Sequence, residues 1–398
     1  MRKTTLHSLI IAIAGACILS CSGPANQSNQ STATYDIGLV EEKKIILPID
    51  EKTYYMSRTI FPFEKEGREF LCFGNIEKSQ YEIIIYDLEN HNVYKRIPLE
   101  RQGPDGVPAV RGIKYSEEID KFILTQNSFS RITMLEENGT VSHKYSIKSS
   151  KSPFIGFTIS SYFHVPSFLK DSILYLASEA IKPNIKKEEW QTTPLFFSLD
   201  LRTTEIDFLP MCYPPVFNKD VKNLSVGSQF SYDYNHYQDR LVCSFITYDS
   251  IMVSDDLRTV KWYDGKSRYL RPNLSPQLME SSEGIEGFAE VKRNGHYYHM
   301  MYDKYRDVYY RFVEHPCDAT PEEILSDGPK SREFSVIIFD KDFRIIGETK
   351  FLGNKYFNKM AFVGRDGLYI SENNLGNPDF DEDKLVFACF KLKDLKGK

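Results

Sequence analysis

Residues 81–99, YEIIIYDLENHNVYKRIPL, decide how the rest of the chain is read. Ile83, Ile84, Ile85 and Tyr86 form an apolar run, residues 87–92 are polar, and residues 93–99 return to a strand-like pattern. Asp and Asn suit the polar knot because they bond their own backbone and tolerate turn geometry, so the stretch reads as a β-hairpin. Looser copies follow. Strand-like runs fall at residues 121–125, 131–135 and 141–147, then 172–177, 195–200 and 205–209, then 240–245, 250–254 and 259–263. Further runs fall at 296–302, 308–313, 334–339 and 345–351, and at 359–363, 367–371 and 385–392. The recurring turns sit at Asp87, Glu136, Asp200, Asp255 and Asp340, with a weaker echo near Lys391. Their spacing is roughly 50–65 residues, stretched to about 85 before Asp340 by an insertion at residues 314–332.

Units of this length, each with several strands, are the mark of a β-propeller, in which neighbouring blades bury each other's faces. The expectation is an all-β fold: six blades of four antiparallel strands, with seven blades or paired β-sandwiches as the alternatives. A strand at residues 37–47 is expected to complete the last blade, closing the ring and removing a free edge.

The 398-residue chain is 41% hydrophobic and 26% charged, an ordinary globular composition. Its 27 Phe and 25 Tyr suit half-buried strands. The formal net charge is −5 and no basic stripe is present, which argues against nucleic acid as a partner.

The N-terminus supplies an address. Residues 1–20 hold Arg2 and Lys3, then an apolar core from Leu9 to Leu19, too short to span a bilayer and proportioned as a secretory signal. Ile18-Leu19-Ser20-Cys21 resembles a bacterial lipobox, which implies cleavage before Cys21 and a lipid on its thiol. Several acyl chains make a firm anchor, since each buried CH₂ contributes about 0.8 kcal/mol. Residues 21–34 are uncharged and rich in Asn, Gln and Ser, so they read as a flexible tether, and residues 35–398 as one propeller domain. The absence of Asp after Cys21 resembles outer-membrane sorting, and the absence of an acidic cluster argues for the leaflet facing the periplasm. Cys72, Cys212, Cys243, Cys317 and Cys389 are odd in number and widely spaced, so small buried hydrophobes are expected rather than a metal cluster.

Each candidate site has a structural counter-reading. Gly103, Pro104 and Asp105 lie in a Gly- and Pro-rich stretch without the Lys-Ser/Thr of a phosphate loop, so an inter-blade turn competes with a ligand-binding loop. Tyr297, Tyr302 and Tyr305 are either inter-blade packing or an aromatic platform for a sugar or peptide. His296 and His299 are three apart, so on a regular strand they face opposite ways, and joint action requires a bulge. Asp379, Asp381, Glu382 and Asp383 lack the alternate-ligand spacing of a calcium loop. Glu283 and Glu286 could send carboxylates to a channel mouth.

Three stretches resemble a known family. RQGPDGV at residues 101–107, HYYHMMYDKYRDVYYRFVEHP at 296–316 and FSVIIFDKDFRIIGET at 334–349 are similar to the domain-of-unknown-function 4221 lipoproteins of Bacteroidota. The resemblance implies a six-bladed propeller in the cell envelope and brings no established activity. The functional expectation is a binding or scaffold module, without cofactor, that meets the membrane through Cys21 and takes an envelope protein, a glycan or a peptide. The alternative is a metal-dependent hydrolase or lactonase, with calcium at the channel mouth. Fold alone does not choose between them.

Overall fold

The computed structural model describes residues 35–76, 81–126, 131–147, 157–158, 164–180, 184–217, 221–222, 229–270, 291–318, 320, 322–323 and 332–395. Cys21, the signal segment, the tether, Glu283 and Glu286 lie outside the described residues.

The hairpin at residues 81–99 forms the outer half of a four-stranded antiparallel sheet. This first blade runs Ile60–Lys65, Arg68–Asn75, Glu82–Asp87, Asn92–Pro98. Blade 2 is Val110–Ser116, Lys121–Gln126, Arg131–Leu135 and Val141–Ser146. Blade 3 is Phe168–Lys170, Ile173–Ala177, Phe196–Asp200 and Ile206–Phe208. Blade 4 is Phe230–Asn235, Arg240–Phe245, Ile251–Ser254 and Lys261–Tyr263. Blade 5 is His296–Asp303, Val308–Glu314, Phe334–Asp340 and Ile345–Phe351. Blade 6 takes Phe357–Gly364, Gly367–Ser371 and Lys384–Asp394 from the C-terminal end and its outer strand, Ile37–Pro48, from the N-terminal end.

The closing strand pairs antiparallel with Lys384–Asp394 along its length, and Ile37 also meets Gly347 of blade 5 in a single parallel pair. Glycine is needed there, because a Cβ on residue 347 would lie 2.3 Å from the Ile37 carbonyl oxygen. This closure corrects the turn expected near Lys391. Lys391 lies inside a strand, opposite Val40, and no hairpin follows because the partner strand comes from the other end of the chain.

Alternating residues on each strand feed two different inter-blade cores. Ile83 and Ile85 join Phe63, Phe122 and Leu124 between blades 1 and 2. Ile84 and Tyr86 face the other way, with Leu47, Phe362 and Phe387 between blades 6 and 1. Four further clusters fill the remaining gaps around the ring. Asp87 is a turn residue: its Oδ1 accepts the N–H groups of Glu89 at 2.8 Å and Asn90 at 3.0 Å. Asp200 and Asp340 do the same for Arg202 and Asp342. In blade 4 the role passes to Asp256, which accepts from Arg258 and Thr259, while Asp255 pairs with Arg240 and Lys261.

A second repeated device locks the turn between first and second strands. Tyr115 donates its hydroxyl to Asp120, Tyr234 to Asp239 at 2.8 Å, and Tyr302 to Asp307 at 3.0 Å. In each case the Asp lies five residues on and holds a positive φ near +50°.

Blades 4 and 5 are joined by a buried guanidinium. Arg311 donates to Ser244 Oγ at 2.7 Å and to the carbonyls of Asp249, Gly265 and Tyr248 at 2.5, 2.9 and 2.6 Å, and stacks 3.3 Å from the Tyr297 ring centre. Its planar fork reaches acceptors on several sides at once, which a lysine ammonium does not. Arg311→Met is expected to cost about 3 kcal/mol or more, by stranding buried acceptors. Arg311→Lys should recover less than half of the loss in a denaturant melt. A Lys variant as stable as the parent would contradict this role.

Candidate functional site

The expected site residues fall in different places. Gly103, Pro104 and Asp105 lie exposed on the connection from blade 1 to blade 2. Gly103 has φ +88° and its carbonyl accepts the Gly106 N–H at 3.0 Å, while Lys144 Nζ donates to the carbonyls of Pro104 at 2.6 Å and Gly106 at 2.9 Å. The loop is knitted by its own backbone. Tyr297 is 1% exposed beneath Arg311, and its hydroxyl donates to Asp249 at 2.5 Å. Tyr302 closes its turn as Tyr115 and Tyr234 do. Tyr305, 36% exposed, donates to Glu64 at 2.6 Å and contacts Glu69 at 3.1 Å. Tyr305 therefore sits at the turn end of the first strands, whereas Gly103–Asp105 precede a first strand. The blades separate them.

The first strands of the blades meet around the axis. Tyr302 N–H donates to Asp233 Oδ2 at 2.8 Å, Tyr297 N–H to the Ile246 carbonyl at 3.0 Å, and Tyr232 N–H to the His164 carbonyl at 3.1 Å. Three of these strands lose register near their starts. The breaks lie between Val110 and Gly112 in blade 2, between Tyr297 and Met300 in blade 5, and between Phe357 and Ala361 in blade 6. Bulges re-aim side chains. These breaks release Arg111, Tyr298 with His299, and Asn358 with Lys359 from the regular alternation. They all lie at one end of the ring.

The bulge required for His296 and His299 to act together is present. His296 pairs with Glu314, and His299 packs 5.6 Å from the Phe312 ring, on the same face of the blade. Lys292 Nζ lies 3.2 Å from His296 Nε2 and 3.0 Å from Glu314 Oε2. An ammonium only donates, so Nε2 accepts and the neutral ring carries its proton on Nδ1. Burial, reinforced by Lys292, pushes the His296 pKa down to about 3. Its Nδ1 has no hydrogen-bond partner. Burial alone would raise the Glu314 carboxyl, but the Lys292 and Lys359 ammonium groups and the Lys292 hydrogen bond outweigh it and hold it well below the usual carboxylate range. Asn358 Nδ2 adds a donor to Glu314 Oε1 at 3.4 Å.

Non-neighbouring blades converge here. His164, preceding blade 3, lies 5.6 Å ring to ring from Tyr298 of blade 5. Arg58, preceding blade 1, is close enough to influence His164, Tyr298 and Lys359 electrostatically. Lys359 also feels Glu314, Lys292 and Arg332, and burial lowers its pKa. This mouth thus brings Arg58, Lys292, Arg332 and Lys359 into the neighbourhood of Glu314, and Arg332 also acts on Glu323.

The opposite end is ion-paired. Glu64 takes Lys304 at 2.7 Å and Arg365 at 3.0 Å as well as the Tyr305 hydroxyl, which ties blades 1, 5 and 6 together. Deeper in, Lys114 lies 5.0 Å from the Phe61 ring centre and interacts electrostatically with Asp233, whose carboxyl burial raises. Among the described residues, no three His, Cys, Asp or Glu side chains converge as metal ligands. Cys72, Cys212, Cys243, Cys317 and Cys389 are free thiols. Asp381 caps the Asp383 N–H at 3.0 Å and pairs with Lys384 at 2.5 Å, so this loop spends its carboxylate on its own chain.

The sequence matches the family model described as Domain of unknown function (DUF4221) over residues 36–350. A crystal structure of a DUF4221 member from Bacteroides vulgatus is similar to this chain at 49% identity and a TM-score of 0.85, covering 90% of this chain and 99% of that one. A candidate exported protein from Bacteroides fragilis is similar in fold at 10% identity and a TM-score of 0.56, covering 90% and 96%. No curated protein matches the sequence. With most of its length matched by the family and half its residues shared with a member, the chain belongs to the DUF4221 family.

Proposed function

We propose that this propeller is a binding module of the bacterial cell envelope, lipid-anchored through Cys21 in the outer membrane facing the periplasm. Its ligand enters the mouth where the first strands begin. The observation that carries the site is the set of three register breaks at that one end, which turns Tyr298, His299 and Lys359 out of regular alternation. Breaks in a ladder forfeit hydrogen bonds, and they are concentrated where side chains need aiming rather than packing. The half-buried Tyr298 ring, flanked by His164, His296 and His299, offers an apolar face with a polar edge. A glycan or peptide fragment suits such a surface, and an envelope protein could present either.

A thermal-shift panel of neutral sugars, acidic sugars and peptidoglycan fragments tests the site. At ligand concentrations near 100 times Kd, binding stabilises by about 2.7 kcal/mol, a shift of several degrees. The expected result is a shift in the parent and in Tyr237→Ala, which alters a tyrosine 71% exposed at the opposite end. The shift should vanish in Tyr298→Ala. A shift that survives Tyr298→Ala would place binding elsewhere. The address is tested by fractionation: Cys21→Ala should move the protein from the membrane to the soluble fraction, and membrane association that persists would refute the lipobox.

A further inference from the structure

We infer that the rim between blades 6 and 1 docks an arginine-bearing peptide segment of a partner protein. This surface uses neither Tyr298 nor Lys359 and goes beyond the reading above. Two loops form it: residues 49–56, on the way from the closing strand into blade 1, and residues 372–383, between the second and third strands of blade 6. The Ile49 N–H donates to the Asp383 carbonyl at 3.3 Å. The Tyr55 ring lies 4.7 Å from Tyr54 and 5.0 Å, edge to face, from Phe380, so aromatic contact joins the loops as well. Each loop is held from behind. The Tyr54 N–H donates to Asn75 Oδ1 at 3.3 Å, the Phe380 N–H to the Asn377 carbonyl at 3.0 Å, and Tyr55 backs onto the core between blades 6 and 1. All three rings are half-buried, so each keeps some surface toward solvent.

Several carboxylates of these loops are already matched. Asp50 takes Arg96 at 3.0 Å, Asp381 takes Lys384 at 2.5 Å, and Glu372 takes Lys44 at 2.7 Å and Lys355 at 3.4 Å. Asp383 acts on Lys384 as well. Glu51, Asp379 and Glu382 are exposed and make no ion pair among the described residues, and Lys52 is the one cation within the two loops. Arg58, further along the chain, acts at the axial mouth. Blade 1 shows what rings beside a carboxylate take. Phe70 and Tyr94 lie 4.8 Å apart, Arg68 sits 5.0 and 5.3 Å from their ring centres, and its guanidinium bonds Asp87. The rim repeats the tilted rings, with Asp379 next to Phe380 in the chain, but no cation of the described residues stands over Tyr55 or Phe380. A guanidinium stacks on a ring and bonds a carboxylate at the same time. Three carboxylates spread over two loops exceed what one small amine neutralises, so the fitting occupant is a peptide with more than one arginine.

Fluorescence anisotropy of the mature chain with a labelled, acetylated GRGRG amide at low salt tests this. The peptide is expected to bind, about two- to fivefold more weakly in Phe380→Leu, which keeps the apolar bulk and removes the ring. Asp379→Asn combined with Glu382→Gln should weaken it at least as much, and raising salt to about 0.5 M should weaken it too. The two carboxamides are surface changes, so they carry the test should Phe380→Leu fail to fold. Glu205→Gln, which alters an exposed carboxylate on a turn at the opposite end, should leave binding at parental strength. No peptide binding, or parental binding in either rim variant, overturns the inference. An equal loss in Glu205→Gln, the mark of general attraction to negative charge, overturns it as well. A loss confined to Tyr298→Ala would place the peptide at the axial mouth, which overturns this surface and leaves the binding module standing. Choline bound in its place, with the same loss in Phe380→Leu and no peptide bound, overturns the peptide as occupant.

Discussion

The antiparallel pairing of Ile37–Pro48 with Lys384–Asp394 is the constraint on which the rest of the ring depends. Leu39 on this strand packs with Phe351 and Phe390 between blades 5 and 6, while Ile45 and Leu47 pack with Leu71 and Phe73 between blades 6 and 1. One strand from the start of the domain therefore completes two cores made mostly by its end. Without it, the third strand of blade 6 would be an open edge with unpaired backbone groups. Side chains such as Tyr356, whose hydroxyl donates to Glu41 at 2.6 Å, would lose their partners as well. The pairing also brings the first and last blades together, and so sets Arg58, Lys292 and Lys359 about one axis although they are far apart in sequence.

Much of this fold is legible in the residues, and the illegible part has a physical pattern. The third strands stand out because they are buried on both faces: EIIIYD and FSVIIFD read as apolar runs closed by an Asp turn. The closing strand was expected and is present. The first strands of blades 1 to 4 do not stand out. Val110–Ser116, VRGIKYS, and Phe230–Asn235, FSYDYN, carry Lys114 and Asp233 toward the axis, so the innermost strand lacks a continuous apolar signature. A different signal was available. Tyr followed five residues later by Asp marks the turn after the first strand at Tyr115, Tyr234 and Tyr302.

The site was harder to read for a related reason. The spacing of His296 and His299 argues against a shared role on a regular strand, and only the bulge in blade 5 places both on one face. Lys359 stands in a short segment of unremarkable composition, and its surroundings come from blades 1 and 5. Local pattern does not carry such information. Gly103–Asp105 and Tyr302 are conspicuous in sequence for conformational reasons: they shape turns. The candidate site collects instead where the ladder of the first strands breaks, while the other end is closed by ion pairs around Glu64.

The most direct test of this account is the stability of the ring without its closing strand. Removal of residues 37–48 is predicted to abolish the cooperative denaturant transition, because the cores on both sides of blade 6 lose side chains that complete them. A truncated chain that melts as cooperatively as the parent would contradict it.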